Sequence, residues 1–472
     1  MKPQDLPDDL TLAFGLQRAA TAAQREVPWD VRADRLQRLR RLLTQHEAAI
    51  TSAIDADFGG RPATETALAE IWPSLQEIKG ALRHGKGWMR PRRAGVGKWF
   101  LPARAQVLPQ PLGVVGVIVP WNYPLYLAIG PMAAVLAAGN RVMVKMSELT
   151  PTFSALFQRL CEQSFAADEL CVVTGGPDVA AAFSALPFDH LLFTGSTPVG
   201  RKVMAAAAAN LTPVTLELGG KSPAVVTPGY PLAHAVQRIL AGKLINAGQT
   251  CIAPDYVLLP RAQLQDFVRL ARAQAQRCHP SGLADADYCS IVNARHHARL
   301  VQALEEVAAA GTRVESLFSG PARDDAGHRL APTLLIDPAA DATLMREEIF
   351  GPLLPLVPYD TLEDALRFIN ERPHPLALYW FDRDRARTDA ALRRVPAGGV
   401  SVNDTLLHVA QDSLPFGGVG ASGMGHYHGR WGFDTFSKLK PVFYQSRLNG
   451  MALFLPPYRP LMQRLLALMK RY

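Results

Sequence analysis

The chain reads as an α/β protein built on parallel, doubly wound sheets, and three features of the sequence lead there. Short β-branched runs such as Val114-Val115-Gly116-Val117-Ile118-Val119 carry no polar alternation, the pattern of strands covered on both faces. They alternate with helix-length segments, as a parallel sheet with crossover helices requires. At 472 residues the chain is also too long for one simple core, so two or three domains are expected.

Taken in order, 17–55 and 65–82 carry helical periodicity. From Leu112 the character changes, with a strand at 114–119, a helix at 125–138, a strand at 141–145 and a helix at 152–164. Strands at 170–174 and 191–193 and a helix at 199–209 complete the first series. A second series follows Glu217, with helices near 232–246, 262–277, 291–309, 362–370 and 384–394. Its strands fall near 223–227, 256–259, 331–335, 353–358, 376–381 and 399–403. Residues 1–95 and 111–216 are assigned to a nucleotide-binding domain and 217–410 to a second α/β domain. Strand-like stretches in 96–110 and 430–446 lie outside both series and are expected to pair in a small projecting sheet. Segment 411–429 is read as a return along the junction, and 447–472 as an amphipathic tail.

Hydrophobic residues make up 48% and charged residues 19%, a globular composition without a disordered half. The formal charge of +8 favours anionic partners such as a dinucleotide. The basic residues are scattered among acids, so no nucleic-acid partner is expected. Five cysteines show neither pairing nor zinc spacing, which points to reduced thiols in the cytoplasm and no metal site. The N-terminus lacks the apolar core of a secretory signal. Residues 111–140 contain no Asp, Glu, Lys or Arg, yet Pro120-Trp121-Asn122-Tyr123-Pro124 interrupts them. Two buried elements explain that stretch better than a membrane span.

Cys251 in Gly248-Gln249-Thr250-Cys251 and Glu217 in Leu216-Glu217-Leu218-Gly219-Gly220-Lys221 are the candidate reactive pair. A cysteine nucleophile and a carboxylate base suffice to capture an aldehyde as a thiohemiacetal and hydrolyse the resulting thioester. A helix terminus or dipole near Cys251 is expected to lower its pKa below the free value of roughly 8.5. Glu217, flanked by leucines, is expected to be raised if buried; the other reading is a surface-facing residue on an edge strand. Asn122 and the amide of Cys251 form a candidate oxyanion site, although Asn122 also suits a plain turn. Phe193-Thr194-Gly195-Ser196-Thr197-Pro198-Val199-Gly200 reads as strand, turn and helix start, able to hold a pyrophosphate or simply to connect two elements. Lys145 and Glu148, at the end of a strand, suit ribose hydroxyls or a solvated salt bridge. A carboxylate there also repels a 2′-phosphate, favouring NAD and leaving NADP as the second candidate.

Together these segments closely resemble the aldehyde dehydrogenase superfamily. The matching pieces are Pro120–Pro124, Lys145-Met146-Ser147-Glu148, Phe193–Ser196, Leu216–Lys221, Gly248–Cys251, Glu347-Glu348-Ile349-Phe350-Gly351-Pro352 and Pro415-Phe416-Gly417-Gly418-Val419-Gly420-Ala421-Ser422-Gly423, in family order. The resemblance implies an NAD-binding Rossmann-like domain, a catalytic domain and a bridging β element completed by a partner subunit, hence a homodimer or a dimer of dimers. It implies Cys251 as nucleophile, Glu217 as general base and Asn122 as oxyanion donor. Trp121, Lys145, Ser147, Glu148, Gly195, Ser196, Gly200, Leu218, Gly219, Glu348 and Phe350 fall on the cofactor side, and Tyr123, Thr250, Ile252 and Phe416 on the substrate pocket. Within the superfamily the match is to the class-3-like branch. Pro415 to Gly425, with His426-Tyr427-His428-Gly429, looks most like bacterial coniferyl aldehyde dehydrogenases, which oxidise a phenylpropenal to its acid. Similar chains also accept aliphatic aldehydes; the alternative readings are a broad-specificity or fatty aldehyde dehydrogenase, an enzyme that passes the acyl group to coenzyme A, against which Glu217 argues, and a non-catalytic homologue.

In the tail, Leu461, Met462, Leu465, Leu466 and Met469 make an apolar stripe. Packing on protein is expected over peripheral membrane contact. The resemblance adds that such a helix borders the neighbouring subunit's substrate entrance.

Overall fold

The computed structural model describes residues 8–458 and 460–471. Two helices, α1 (Asp8–Ala23) and α2 (Trp29–Phe58), replace the single periodic stretch at 17–55. The break lies at Pro28, which has no N–H to continue a helix and instead precedes the first turn of α2. A short α3 (Ala63–Thr66) runs through a π-helical turn (Ala67–Ile71) into α4 (Trp72–Trp88). Strands β1 (Arg92–Ala94) and β2 (Arg104–Pro111) follow.

The first wound sheet then forms from β3 (Val114–Ile118), α5 (Tyr126–Ala137), β4 (Arg141–Lys145), α6 (Pro151–Ser164), β5 (Leu170–Val173), α7 (Pro177–Ser184), β6 (His190–Gly195), α8 (Thr197–Ala208) and β7 (Val214–Leu218). Every residue of β3, β4 and α5 is buried, as expected of apolar runs without polar faces. Helix α7, absent from the sequence reading, begins with Pro177 in its first turn, where a missing N–H does no harm.

The second series runs β8 (Pro223–Val226), α9 (Leu232–Leu244), β9 (Tyr256–Pro260), α10 (Leu264–Cys278), α11 (Ala294–Ala309), β10 (Arg313–Ser316), the small hairpin β11 (Arg323–Asp324) and β12 (Arg329–Leu330), β13 (Thr333–Ile336), α12 (Thr343–Arg346), β14 (Leu353–Tyr359), α13 (Leu362–Asn370), β15 (Ala377–Phe381), α14 (Arg385–Arg394) and β16 (Gly399–Val402). The chain closes with β17 (Gly423–Met424), α15 (Gly429–Thr435), β18 (Ser437–Tyr444) and α16 (Pro460–Met469).

The first sheet has the order β17-β7-β6-β3-β4-β5, parallel except for β17. The chain winds outward from β3 to β5 and then returns to β6 on the other side of β3. Strand ends diverge at that reversal, between Ile118 and Gly195, and a ligand crevice opens there. The second sheet, β10-β13-β14-β9-β8-β15-β16, is parallel except for β10 at its edge. Glu217 was expected to open the second series. Instead it pairs with Thr194 of β6 and Gly423 of β17, so its strand, which ends at Leu218, belongs to the first sheet. The cause is the return segment, which supplies a neighbour to β7 from two hundred residues downstream.

The third sheet, β1-β2-β18, pairs all of Ser437–Tyr444 with Arg104–Pro111. Lys98–Phe100, included in the strand-like stretch, is a 3-10 turn. In the tail, Met462 is buried while Leu461 and Leu466 are exposed, so the apolar stripe packs only partly on its own chain. Among the described residues no helix is long and apolar enough to cross a membrane.

Strand β17 depends on glycine. Gly423 has φ of 143°, and a Cβ there would collide with the Leu216 carbonyl. Gly423→Ala is expected to lower stability by about 1–3 kcal/mol, measured by chemical denaturation. Gly15→Ala, in open space on exposed α1, should be neutral or stabilising by up to about 1 kcal/mol.

Candidate active site

Three segments far apart in the chain bring Asn122, Glu217 and Cys251 onto one cleft of about 960 Å³. Asn122 comes from the turn between β3 and α5, Glu217 from the end of β7, and Cys251 from a turn after the 3-10 segment Ile245–Gly248. Asn122 donates one side-chain hydrogen to the Gln249 carbonyl at 3.1 Å. An amide carries two, so one remains to meet a ligand oxygen.

Glu217 is 2% exposed, and neither carboxylate oxygen has a protein partner among the described residues. Burial raises its pKa well above the carboxylate range. The surface-facing alternative is excluded, because β7 lies between β6 and β17.

Cys251 departs from expectation. It is half-buried and sits in a turn that heads no helix. Burial, then the nearby Glu348 and Glu217 carboxyls, push the thiol up to about 12, and only the amides of Cys251 and Ile252 oppose them. The expected lowering is therefore reversed: two acids stand where a helix dipole was anticipated. Gly248 brings this segment close to its neighbour. Its φ is 77°, and a Cβ there would strike the carbonyl of Gly351.

Trp121, Gly195, Ser196, Leu218, Gly219, Glu348 and Phe350 line the same cleft. Trp121 meets Phe350 edge-on, with ring centroids 5.3 Å apart. Ser196 precedes α8 in an extended conformation and makes no side-chain cap, while Thr197 Oγ1 donates to the Ala421 carbonyl. The first amides of α8 are thus left open beside the crevice. Glu348 accepts the Gly220 amide, and burial followed by Asp255 raises its pKa to about 8. Glu348 Oε1 and Thr194 Oγ1 are buried without protein partners. Open helix amides and orphaned oxygens at a strand-end crevice fit the pyrophosphate and hydroxyls of a nicotinamide dinucleotide.

Other expected residues stand apart from the cleft lining. Lys145 Nζ donates to the Met146 carbonyl at 2.6 Å and lies 3.9 Å from Glu148, while Ser147 Oγ accepts the Leu149 amide. All three occupy the carboxyl end of β4, beside the crevice. Gly200 lies within α8, where a Cβ would press into Leu218. Tyr123, Thr250, Ile252 and Phe416 do not line the cleft either. Tyr123 bonds Thr250 at 2.7 Å between hydroxyls, the Ile252 carbonyl accepts Tyr379, and Phe416 stacks on His428 at 5.3 Å.

The sequence reading missed several participants. His296 and Arg299 line the cleft from one face of α11, and only their helical spacing hinted at it. Lys221 stood inside the Leu216–Lys221 motif without a role, and Asn246 two residues before the Gly248–Cys251 motif. Arg61, which donates to the Asn122 carbonyl at 3.1 Å, carried no signal at all.

A model of the aldehyde dehydrogenase family matches residues 7–442. The chain belongs to the aldehyde dehydrogenase family. It is 52% identical over 458 residues to a probable coniferyl aldehyde dehydrogenase of Pseudomonas aeruginosa, covering 97% of this chain and 95% of the relative. A coniferyl aldehyde dehydrogenase of a Pseudomonas species is 45% identical, with 93% and 91% covered. The substrate-bound structure of a Staphylococcus aureus aldehyde dehydrogenase superposes with a TM-score of 0.92 at 36% identity, covering 98% and 99% of the two chains. This aldehyde dehydrogenase is accordingly an oxidoreductase that works with a nicotinamide cofactor.

The raised thiol makes a direct prediction for the free enzyme. Below about pH 12 Cys251 is neutral, and the reactive thiolate fraction grows about tenfold per pH unit. Alkylation of Cys251 by iodoacetamide, followed by peptide mass spectrometry, should accelerate about tenfold per pH unit, about hundredfold from pH 7 to pH 9. A plateau in this range would show a lowered thiol instead.

Proposed function

We propose that this aldehyde dehydrogenase oxidises coniferaldehyde, or a similar aromatic aldehyde, to the acid with NAD. The carrying observation is the convergence of Cys251, Glu217 and Asn122 on the cleft that also presents Glu348 and Phe350. In this reading Cys251 gives up its thiol proton to solvent and its sulfur attacks the aldehyde carbon. The oxygen, as it gains charge, rests against the free Asn122 hydrogen and the Cys251 amide. Bound NAD supplies the electron acceptor for this oxidation. Glu217, ionised once its surroundings change, takes a proton from water, and the water releases the acid from the Cys251 thioester.

Trp121, Gly195, Ser196, Leu218, Gly219, Glu348 and Phe350 are proposed to hold the cofactor, with Lys145, Ser147 and Glu148 at its ribose end and Gly200 admitting the close approach of α8. Exposed Glu148 disfavours a 2′-phosphate and so NADP. Tyr123, Thr250, Ile252 and Phe416 form the substrate side, joined by Tyr427, whose ring meets Phe416 edge-on at 6.0 Å. The names of the relatives support an aromatic substrate. Residues 1–95 and 111–218 would serve as the NAD-binding domain, and the segment from 219 to 410 as the catalytic domain. The three-stranded sheet exposes Leu439, Phe443 and Tyr444, which supports a homodimer or a dimer of dimers joined there. Five free thiols suit a cytoplasmic enzyme.

Two measurements test this. In Glu217→Gln, thioester hydrolysis should slow by about 10²-fold or more while capture of the aldehyde persists. Rapid mixing should then show a burst of NADH before a slow phase, and equal loss of both phases removes Glu217 as the base. In a screen of coniferaldehyde, benzaldehyde, hexanal and decanal with NAD and NADP, coniferaldehyde with NAD should lead in kcat/KM by about tenfold. Equal values across the set indicate a broad or fatty-aldehyde enzyme, and acyl-CoA formation with added coenzyme A indicates an acylating one.

A further inference from the structure

The π-helical turn Ala67–Ile71 inverts the usual arrangement of side chains. Leu68 and Trp72 are 60% and 51% exposed, while Glu70 between them is fully buried. Turns of this kind frequently occur at functional sites. Glu70 Oε1 pairs with Arg61 Nη1 at 2.8 Å, and both side chains are shut off from solvent. Its Oε2 accepts the amides of Leu125 and Tyr126 at 2.7 and 3.1 Å. Those amides begin α5, whose own N-cap, Leu125, has no side-chain acceptor. Glu70 therefore caps a helix 55 residues downstream.

The same Arg61 nitrogen donates to the Asn122 carbonyl at 3.1 Å, and the guanidinium lies 4.9 Å from the Tyr123 ring. The Asn122 carbonyl accepts a second bond from Asn246 Nδ2 at 3.0 Å. Asn246 Nδ2 and Asn122 Nδ2 both reach the Gln249 carbonyl, at 3.2 and 3.1 Å. Glu65 accepts the Asn246 amide. Asn246, Ala247 and Gly248 have φ of 52°, 49° and 77°, a left-handed run that surrounding contacts must hold in place. Two carbonyls, one beside the oxyanion donor and one two residues before the nucleophile, are thus locked to each other and to the N-terminal helices.

A buried ion pair is a poor source of net stability, because desolvation offsets its attraction. What this pair does supply is a fixed direction for the 122–126 turn. We infer that Arg61 and Glu70 are positioning residues for the oxidation: through the Asn122 carbonyl and the first amides of α5 they hold the Asn122 side chain at its working distance from Cys251. This rests on the proposed roles of Asn122 and Cys251. It makes the π-helical turn and the loop after α2 part of the catalytic apparatus, although neither touches the cleft.

The decisive protein is the double variant Arg61→Met/Glu70→Leu, which replaces the pair with apolar side chains. With intact full-length enzyme, its denaturation midpoint should fall modestly, because two α5 amides lose their acceptor, and NAD binding should stay near wild type, while kcat with a saturating aromatic aldehyde falls by about 10²-fold. Wild-type kcat in the folded double variant overturns the inference. If that variant does not fold, the single variants decide: Arg61→Met should lose kcat and Arg61→Lys should recover much of it, whereas equal kcat in the two overturns it. A cycle with Asn122→Ala separates this inference from the reading beneath it. Loss of kcat in Asn122→Ala with no further loss on adding Arg61→Met supports the positioning role, and additive losses reject it. Full activity in Asn122→Ala instead removes Asn122 as the oxyanion donor.

Discussion

Lys221 reaches from the turn between the two sheets to three acceptors: the Asp255 carboxylate and the carbonyls of Leu344 and Glu347. Asp255 in turn accepts the Ile349 amide, and its own amide donates to Ser222. The pair is largely buried, and each remaining valence is satisfied by backbone, the condition under which a buried ion pair holds its geometry. Glu217 lies four residues before Lys221, Cys251 four before Asp255, and Glu348 one before Ile349. One interaction therefore ties together the three segments that carry the ionisable groups of the site.

Those groups share an environment as well as a scaffold. Glu217, Glu348 and Cys251 are all raised, burial being the largest cause in each, and both carboxyls add to the rise of the thiol. Ionising either carboxyl therefore makes the thiol harder to ionise. A neutral thiol reacts slowly, and in the proposed mechanism a carboxyl raised by burial suits the role of taking a proton from water.

The surface has its own asymmetry. Large apolar side chains are exposed on the three-stranded sheet and again at Leu448, Leu453, Leu455, Leu461 and Leu466 of the tail. So much clustered apolar surface is characteristic of contacts between chains. In the proposed assembly the tail would be shared between subunits, so its truncation would affect packing and substrate access together.

What the sequence determined by itself is local or motif-borne. Short β-branched apolar runs such as 114–118 and 142–144 favour doubly covered strands, because they offer no polar face to meet water. Cys251, Glu217 and Asn122 were legible because each sits in a short segment of distinctive composition. The tertiary structure decided what depends on neighbours distant in the chain. Glu217 became an interior residue only because β17 arrived beside β7. The Cys251 thiol rose rather than fell chiefly because the fold buries it, and Glu348, 97 positions away, adds to the rise. Arg61 and Glu70 carried no signal in the sequence, and only the fold pairs them in the interior with Arg61 against Asn122. Periodicity reports which face of an element is apolar, but charge, burial and hydrogen bonding at a site are set by what packs against it.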